Sequence, residues 1–124
     1  MKTAPSVRMR IVLREGRAMG PGKADILGAI DELGSIAAAG RSMGMSYQRA
    51  WSLVNELNHI FRKPLVAVSR GGSERGGARL TATGREVLTA YRTIERVAAE
   101  HCRPELEKLL RLAAEKGSDI SIGR

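Results

Sequence analysis

The sequence has a single cysteine, few aromatic residues and no long apolar run. Cys102 alone cannot form an intramolecular disulfide or a cluster of thiolate zinc ligands. Aromatic residues make up 3% of the 124 residues, so Ala, Leu, Ile, Val and Met must build the core. No apolar stretch approaches the roughly 18 residues of a membrane-spanning helix, and no apolar segment of a signal peptide follows Pro5. These absences predict a soluble, cytoplasmic protein, and a length of 124 residues fits one domain.

Acidic residues are also scarce, since 13 Asp and Glu stand against 21 Lys and Arg, for a net charge of +8. The basic excess is concentrated at residues 1–20 and 59–85, and each of these regions contains a single glutamate. An excess of this size on a small domain favours a polyanionic partner. On charge alone, that partner is nucleic acid, a membrane surface or an acidic protein.

Hydrophobic periodicity predicts a strand followed by three helices in the first half of the chain. Apolar residues alternate over 7–13, which is typical of a strand with one apolar face, and the Pro-Gly pair at 21–22 is expected to break that run. Apolar residues recur at helical spacing over 26–33. A short helix is predicted over about 35–43 and a third helix over about 46–61.

The second half of the chain predicts a β-hairpin and then more helix. Short β-rich stretches at 65–68 and 78–81 flank a glycine-rich segment, which would form a flexible basic tip. Thr83 and Glu86 match a Thr-x-x-Glu capping box in front of a long helix. A last helix is predicted over 105–116.

This order of elements predicts a winged helix-turn-helix, which is an α+β fold that is mainly α. The small residues at 39–40 would let two helices cross closely, and Gly44 tolerates the positive φ that the turn between them needs. Residues 1–103 are predicted to form this domain, including a long dimerisation helix from 83. Residues 104–124 would add a short C-terminal helix and a frayed tail.

The helix that starts at Ser46 has the polar outer face of a recognition helix. Its first turn would enter the major groove, where Gln and Asn can bond adenine and Arg can bond guanine in a bidentate manner. Arginines of the hairpin would contact phosphates or a minor groove, which orients a protein on DNA without reading sequence. The predicted DNA-binding residues are Ser46, Tyr47, Gln48, Arg49, Ser52, Asn55, Arg70, Arg75 and Arg79.

The run GSIAAAGRSMGMSYQRAWSLVNELN at 34–58 resembles the N-terminal DNA-binding domain of the ModE family of molybdate-responsive transcription regulators. The stretch RGGSERGGARLTATG at 70–84 is similar as well, and the resemblance covers about residues 7–103. The helix-turn-helix of LysR-type regulators is similar to a lesser degree. The ModE resemblance implies a dimeric module that reads a palindromic operator. Full-length members carry a C-terminal oxyanion-binding region, for which this chain has no β-rich segment, so we expect it not to bind molybdate.

The long helix predicted from 83 carries an apolar stripe at alternating spacings of four and three. The stripe either packs on its own domain or forms a homodimer interface, and the length of the helix favours the homodimer. Two recognition helices about 34 Å apart would then read a palindrome. The predicted dimerisation residues are Val87, Tyr91, Ile94 and Ala98.

Other residues have a structural interpretation beside a functional one. Trp51 is interpreted as a packing or interface residue, while Tyr47 either reaches a phosphate or covers the core. His59, His101 and Cys102 lack the paired spacing of metal ligands, and no catalytic constellation is present, so neither a cofactor nor an enzyme is predicted. The predicted function is a sequence-specific transcription regulator that binds double-stranded DNA. The alternatives are a nonspecific nucleoid-type DNA- or RNA-binding protein and a protein-interaction module on the same fold.

Overall fold

The computed structural model describes residues 5–71 and 74–115. Its helices and strands in chain order are β1 (Ile11–Val12), β2 (Ala18–Met19), α1 (Pro21–Leu33), α2 (Ile36–Ser42), α3 (Tyr47–Ile60), β3 (Val66–Gly71), β4 (Glu74–Leu80), α4 (Ala82–His101) and α5 (Arg103–Leu112). This mainly helical α+β arrangement confirms the predicted fold class. The tail that was expected to fray, at 116–124, lies outside the described residues.

The N-terminal segment forms a small hairpin and not the lone strand that its alternation predicts. β1 pairs antiparallel with β2, with Ile11 opposite Met19 and Val12 opposite Ala18. Both residues of β2 are buried, so this strand lacks the alternation by which sequence patterns are recognised. The Pro-Gly pair at 21–22 is not a separate break but the first turn of α1, where a proline replaces an amide that would have no helical partner.

The core lies between α1, α2, α3 and the second hairpin. Gly40 packs so closely on α3 that an added Cβ would lie 3.0 Å from the Cβ of Ala50. Gly44 has a φ of +70°, so it supplies the left-handed turn before α3. Both glycine roles agree with the prediction. The largest fully buried side chains are Tyr91, Ile26, Leu27, Ile30, Leu57, Leu65 and Val54.

The start of α4 differs from the predicted capping box. The Thr81 hydroxyl accepts a hydrogen bond from the Gly84 amide at 2.9 Å and donates one to the Pro64 carbonyl at 2.7 Å. A Cβ at Gly84 would overlap the carbonyl oxygen of Leu65, so only glycine fits at that position. The prediction that Thr83 caps the helix is therefore wrong. The cap is Thr81, whose hydroxyl is held by the Pro64 carbonyl, 17 residues earlier in the sequence.

The second hairpin is longer than predicted, because β3 extends to Gly71 and β4 begins at Glu74. Its strands pair antiparallel from Val66 opposite Leu80 towards the tip, with a register irregularity between 69 and 71. The Ala78 amide also donates to the carbonyl of Gly34 at 2.9 Å, between α1 and α2. This bond fixes the hairpin against the helix-turn-helix.

Asp25 on α1 joins the N-terminal segment to α4. Its carboxylate accepts a hydrogen bond from Arg8 at 2.8 Å and another from Arg92 at 3.0 Å. Beside it, the Tyr91 hydroxyl donates to the Met9 carbonyl at 2.5 Å. Partial burial raises the pKa of Asp25, but the bonds from Arg8 and Arg92 lower it by more, so this pKa lies below its ordinary value.

The substitution Asp25→Asn is expected to lower the free energy of unfolding at neutral pH by about 1 kcal/mol, because both ion pairs are partly exposed. The folded state holds the pKa of Asp25 below its unfolded value of about 3.9. The stabilisation is therefore present above that value and is lost as the pH falls through the folded-state pKa. Urea titrations at falling pH should show the two proteins converging in acid.

Asp31→Asn is the matched control, since Asp31 accepts one exposed contact from Arg85 at 3.0 Å. It should change the stability at neutral pH by less than Asp25→Asn does. Equal effects of the two substitutions would contradict the linking role of Asp25.

Candidate nucleic-acid interface

The turn between α2 and α3 leaves the N-terminus of α3 capped and exposed. The Ser46 hydroxyl accepts a hydrogen bond from the Arg49 amide at 3.0 Å, so its side chain is first of all the N-cap of α3. The Met45 amide donates to the Gly40 carbonyl at 3.0 Å, which closes the turn around Gly44. The other amides of the first turn have no acceptor within the helix, and a helix N-terminus of this kind can bind a phosphate.

α3 has one buried and one exposed face. Ala50, Leu53, Val54 and Leu57 are buried against the core. Gln48, Ser52 and Asn55 are exposed and follow one another at spacings of four and three, so they form a row along the outer face. We call these three residues the polar row.

Two predicted contacts lie beside the polar row and not within it. One-residue steps of about 100° put Arg49 on the flank away from Trp51, and Tyr47 on the same flank as Trp51. Arg49 and Tyr47 are both exposed. His59, which sequence reasoning left unassigned, continues the polar row, and its Nδ1 lies 2.6 Å from the Asn55 carbonyl oxygen.

The hairpin of β3 and β4 occupies the position of the predicted wing. Arg79 is exposed on β4, whereas the side chains of Arg70 and Arg75 lie outside those that the structure describes. At the base of the hairpin, the Asn58 side chain accepts from the amides of Leu65 at 2.8 Å and Val66 at 3.0 Å. It also donates to the Val66 carbonyl at 3.2 Å.

Asn58 is a positioning residue that sequence reasoning missed. It joins the last turn of α3 to the first strand of the second hairpin, so it sets where that hairpin lies relative to α3. An asparagine near the end of a helix gives no local sign of such a bond, because its partners come seven and eight residues later and after a proline.

The N-terminal arginines lie at the other end of α3. Arg14 and Arg17 line a cleft together with Ile60, Phe61 and Arg62, which follow the last turn of α3 or belong to it. α3 has 14 residues, so this cleft is about 20 Å from the first turn of the helix. Arg14 and Arg17 therefore lie away from the N-terminus of α3.

The predicted dimerisation stripe on α4 divides into buried and exposed parts. Tyr91 is only 2% exposed and donates to the Met9 carbonyl, so it belongs to the core of its own domain. The predicted dimerisation residue Tyr91 is therefore part of the core and not of the exposed part of the stripe. Val87 and Ala98 are half-buried, while Ile94 is 44% exposed.

Beyond Ile94, further exposed apolar residues lie outside the predicted stripe. Val97 is 46% exposed, and α5 has no buried residue. α5 instead exposes three leucines, namely Leu109, Leu110 and Leu112.

Within residues 5–71 and 74–115, no three His, Cys, Asp or Glu side chains come together as a metal site. In the same part of the chain, no helix is long and apolar enough to cross a membrane. The exposed Cys102 ends α4.

No family model matches the chain. Curated relatives include the molybdenum-pterin-binding protein MopB of Rhodobacter capsulatus, which is 40% identical over 85 residues, or 68% of this chain and 32% of MopB. The molybdenum transport protein ModE of Azotobacter vinelandii is 34% identical over 88 residues, or 71% of this chain and 33% of that protein. The DNA-binding transcriptional dual regulator ModE of Escherichia coli K12 is 35% identical over 71 residues, or 57% of this chain and 27% of that protein.

The chain thus spans about a third of the length of the curated relatives it matches. The resemblance seen in the sequence is confirmed: over more than half of its length, this chain is homologous to the ModE and Mop proteins.

Proposed function

We propose that this chain is a DNA-binding transcription regulator of the ModE type, which reads a palindromic operator as a homodimer. The observation that carries the proposal is the polar row on α3, which is exposed while the opposite face of the same helix is buried in the core. A helix held in this way can place base-reading side chains in a major groove without disturbing the fold. The name of the Escherichia coli relative, a DNA-binding transcriptional dual regulator, supports the same function.

In this mechanism, the first turn of α3 enters the major groove. Gln48 and Asn55 have the amide groups that pair with adenine, and Arg49 has the guanidinium that pairs with guanine. Arg79, together with Arg70 and Arg75, supplies positive charge on the wing for the phosphates. We assign no catalytic step and no resident cofactor, and a regulator of this kind acts in the cytoplasm.

Ile94, Val97 and the leucines of α5 support the homodimer, because the protomer leaves all of these apolar side chains exposed. Patches of this type mark association surfaces in proteins that are otherwise well packed. The dimer would bring two recognition helices to successive major grooves on one side of the duplex.

The double substitution Ile94→Glu with Val97→Glu is expected to produce monomers. Both side chains are more than two fifths exposed in the protomer, so the fold should tolerate the change. Without their burial at the interface, self-association should weaken at least about 100-fold. Sedimentation equilibrium measures this change as a halved mass.

Val12→Glu is the control for this experiment. Val12 is exposed on the N-terminal hairpin and not on α4, so its variant should keep the mass of the wild type. A double variant that sediments as the wild type does would contradict an interface through α4.

The proposed function is tested by fluorescence anisotropy with the DNA upstream of the chain's own gene and with a scrambled duplex. Both titrations run from about 50 to 200 mM salt, the range over which phosphate contacts lose strength. A preference of about 10³-fold or more that survives the higher salt is the expected result. Equal and steeply salt-dependent binding to both duplexes would instead favour a nucleoid-type protein, and absence of binding would favour a protein-interaction module.

Molybdate belongs in one further arm of the same experiment. The names of the curated relatives refer to molybdenum, but this chain spans only about a third of their length. Calorimetry with molybdate alone checks whether the ion binds at all.

A further inference from the structure

An apolar patch of Tyr47, Trp51 and Val68 borders the polar row on its wing side. Tyr47 is 55% exposed, Val68 is 47% exposed and Trp51 is half-buried against the core. The two aromatic rings meet edge to face, with centroids 6.3 Å apart and planes at 82°. A shallow groove of about 90 Å³ between α2, α3 and the hairpin is lined by all three side chains and by Ala37.

Two of the three side chains in the patch, Tyr47 and Val68, are about half exposed to solvent. Tyr47 is the first residue of α3, and more than half of its surface faces solvent. Trp51 packs on the core from one side and on the Tyr47 ring from the other, so it holds that ring above the groove. An aromatic ring kept in one orientation and left exposed is a preformed contact for an apolar group.

The charged and polar side chains around the patch indicate which apolar group would bind to it. The polar row lies alongside the patch, and Arg49 is exposed on the far flank of that row. Arg79 is exposed on β4 and follows Ala78, which lines the groove. A ligand for this surface therefore has negative charge at its edges, hydrogen-bonding groups in the middle and an apolar group next to them. In the major groove of duplex DNA, the C5-methyl of thymine is that apolar group.

We propose that the Tyr47–Trp51–Val68 patch contacts the C5-methyl of one thymine in each half-site of the operator. The proposal rests on the proposed function of α3 as the recognition helix. Since Tyr47 and Gln48 are consecutive residues of one helical turn, this thymine lies next to the base that Gln48 contacts, on the side of the wing. Operator specificity then has an apolar component beside the hydrogen bonds of the polar row.

The test uses a duplex that the full chain itself enriches from a random library. Each thymine of that duplex is replaced in turn by deoxyuridine, which lacks only the methyl group and keeps its pairing and hydrogen-bonding atoms. At one thymine per half-site, the replacement is expected to weaken binding about fourfold, the value of one buried methyl-sized group. Replacement of the other thymines should have little effect.

Variants of Tyr47 assign the effect to the patch. Tyr47→Ala should bind the thymine and deoxyuridine duplexes equally, whereas Tyr47→Phe should keep the difference because it keeps the ring. Ser52→Ala, on the polar row, should bind more weakly and still prefer thymine. Equal melting temperatures of the proteins verify that these exposed substitutions leave the fold intact. The deoxyuridine scan on the wild type tests the methyl contact without any variant.

The outcomes separate this inference from the proposed function. The proposed contact is contradicted if no methyl removal from the enriched duplex changes the affinity, or if the methyl effect persists in Tyr47→Ala. Either result leaves the proposed regulator function unaffected. Failure to enrich any sequence overturns both, and the exposed apolar patch would then be a docking surface for another protein.

Discussion

Replacing Gln48 and Arg49 together by alanine is expected to lower the preference for the operator over a scrambled duplex at least about 100-fold. Each bidentate contact to a base contributes roughly 1–3 kcal/mol of discrimination, and a dimer makes each contact twice. Both side chains are exposed, so their removal should leave the fold unchanged. The Arg49 amide still bonds the Ser46 hydroxyl, because that bond uses the backbone and not the guanidinium. Anisotropy titrations of both duplexes measure the ratio of affinities.

Arg79→Gln is the matched control, because it removes an exposed positive charge from the wing and not from α3. It should weaken binding to both duplexes by the same factor. It should also reduce the slope of log affinity against log salt by about 0.9 for each phosphate that the protein no longer neutralises. If Arg79→Gln changed the preference while the α3 double variant weakened both duplexes equally, the assigned roles of helix and wing would be reversed.

The helix-turn-helix could be predicted because its determinants are local. Ser35 caps α2 by accepting from the Ala38 amide three residues later, and Ser46 caps α3 in the same way. Gly34 and Gly44 stand where the chain needs a positive φ. The exposure of the polar row follows from the apolar spacing of the same helix, so this part of the candidate site was also visible in the sequence.

The details that sequence reasoning missed depend on contacts between distant segments. β2 forms because Met19 pairs with Ile11 across a tight turn, and no pattern within two residues announces that pairing. The Thr83 capping box matched a local rule, yet the cap is Thr81, whose amide and hydroxyl donate to the carbonyls of Leu65 and Pro64 and so fix it at the start of α4. Periodicity placed Tyr91 on a stripe but could not show that the N-terminal segment covers it.

Asn58→Ala is expected to lower the free energy of unfolding by about 2–5 kcal/mol. The substitution leaves the amides of Leu65 and Val66 without their acceptor, and both residues are buried. An unsatisfied buried amide costs about 1–3 kcal/mol. Asn58→Asp keeps an acceptor for both amides, although it replaces the donation to the Val66 carbonyl by a repulsion between two oxygens, so it should cost less than alanine. Urea denaturation of the three proteins measures this order.

Asn55→Ala, one helical turn earlier, separates stability from DNA recognition. Asn55 is exposed on the polar row, so its variant should unfold within about 0.5 kcal/mol of the wild type and yet lose operator preference. In Asn58→Ala, the wing is released from the end of α3, so the contacts of its arginines should weaken for every duplex alike. If Asn58→Ala were as stable as Asn55→Ala, then other acceptors would satisfy the two amides, and the wing would be held by its bond to Gly34 and its buried apolar residues instead.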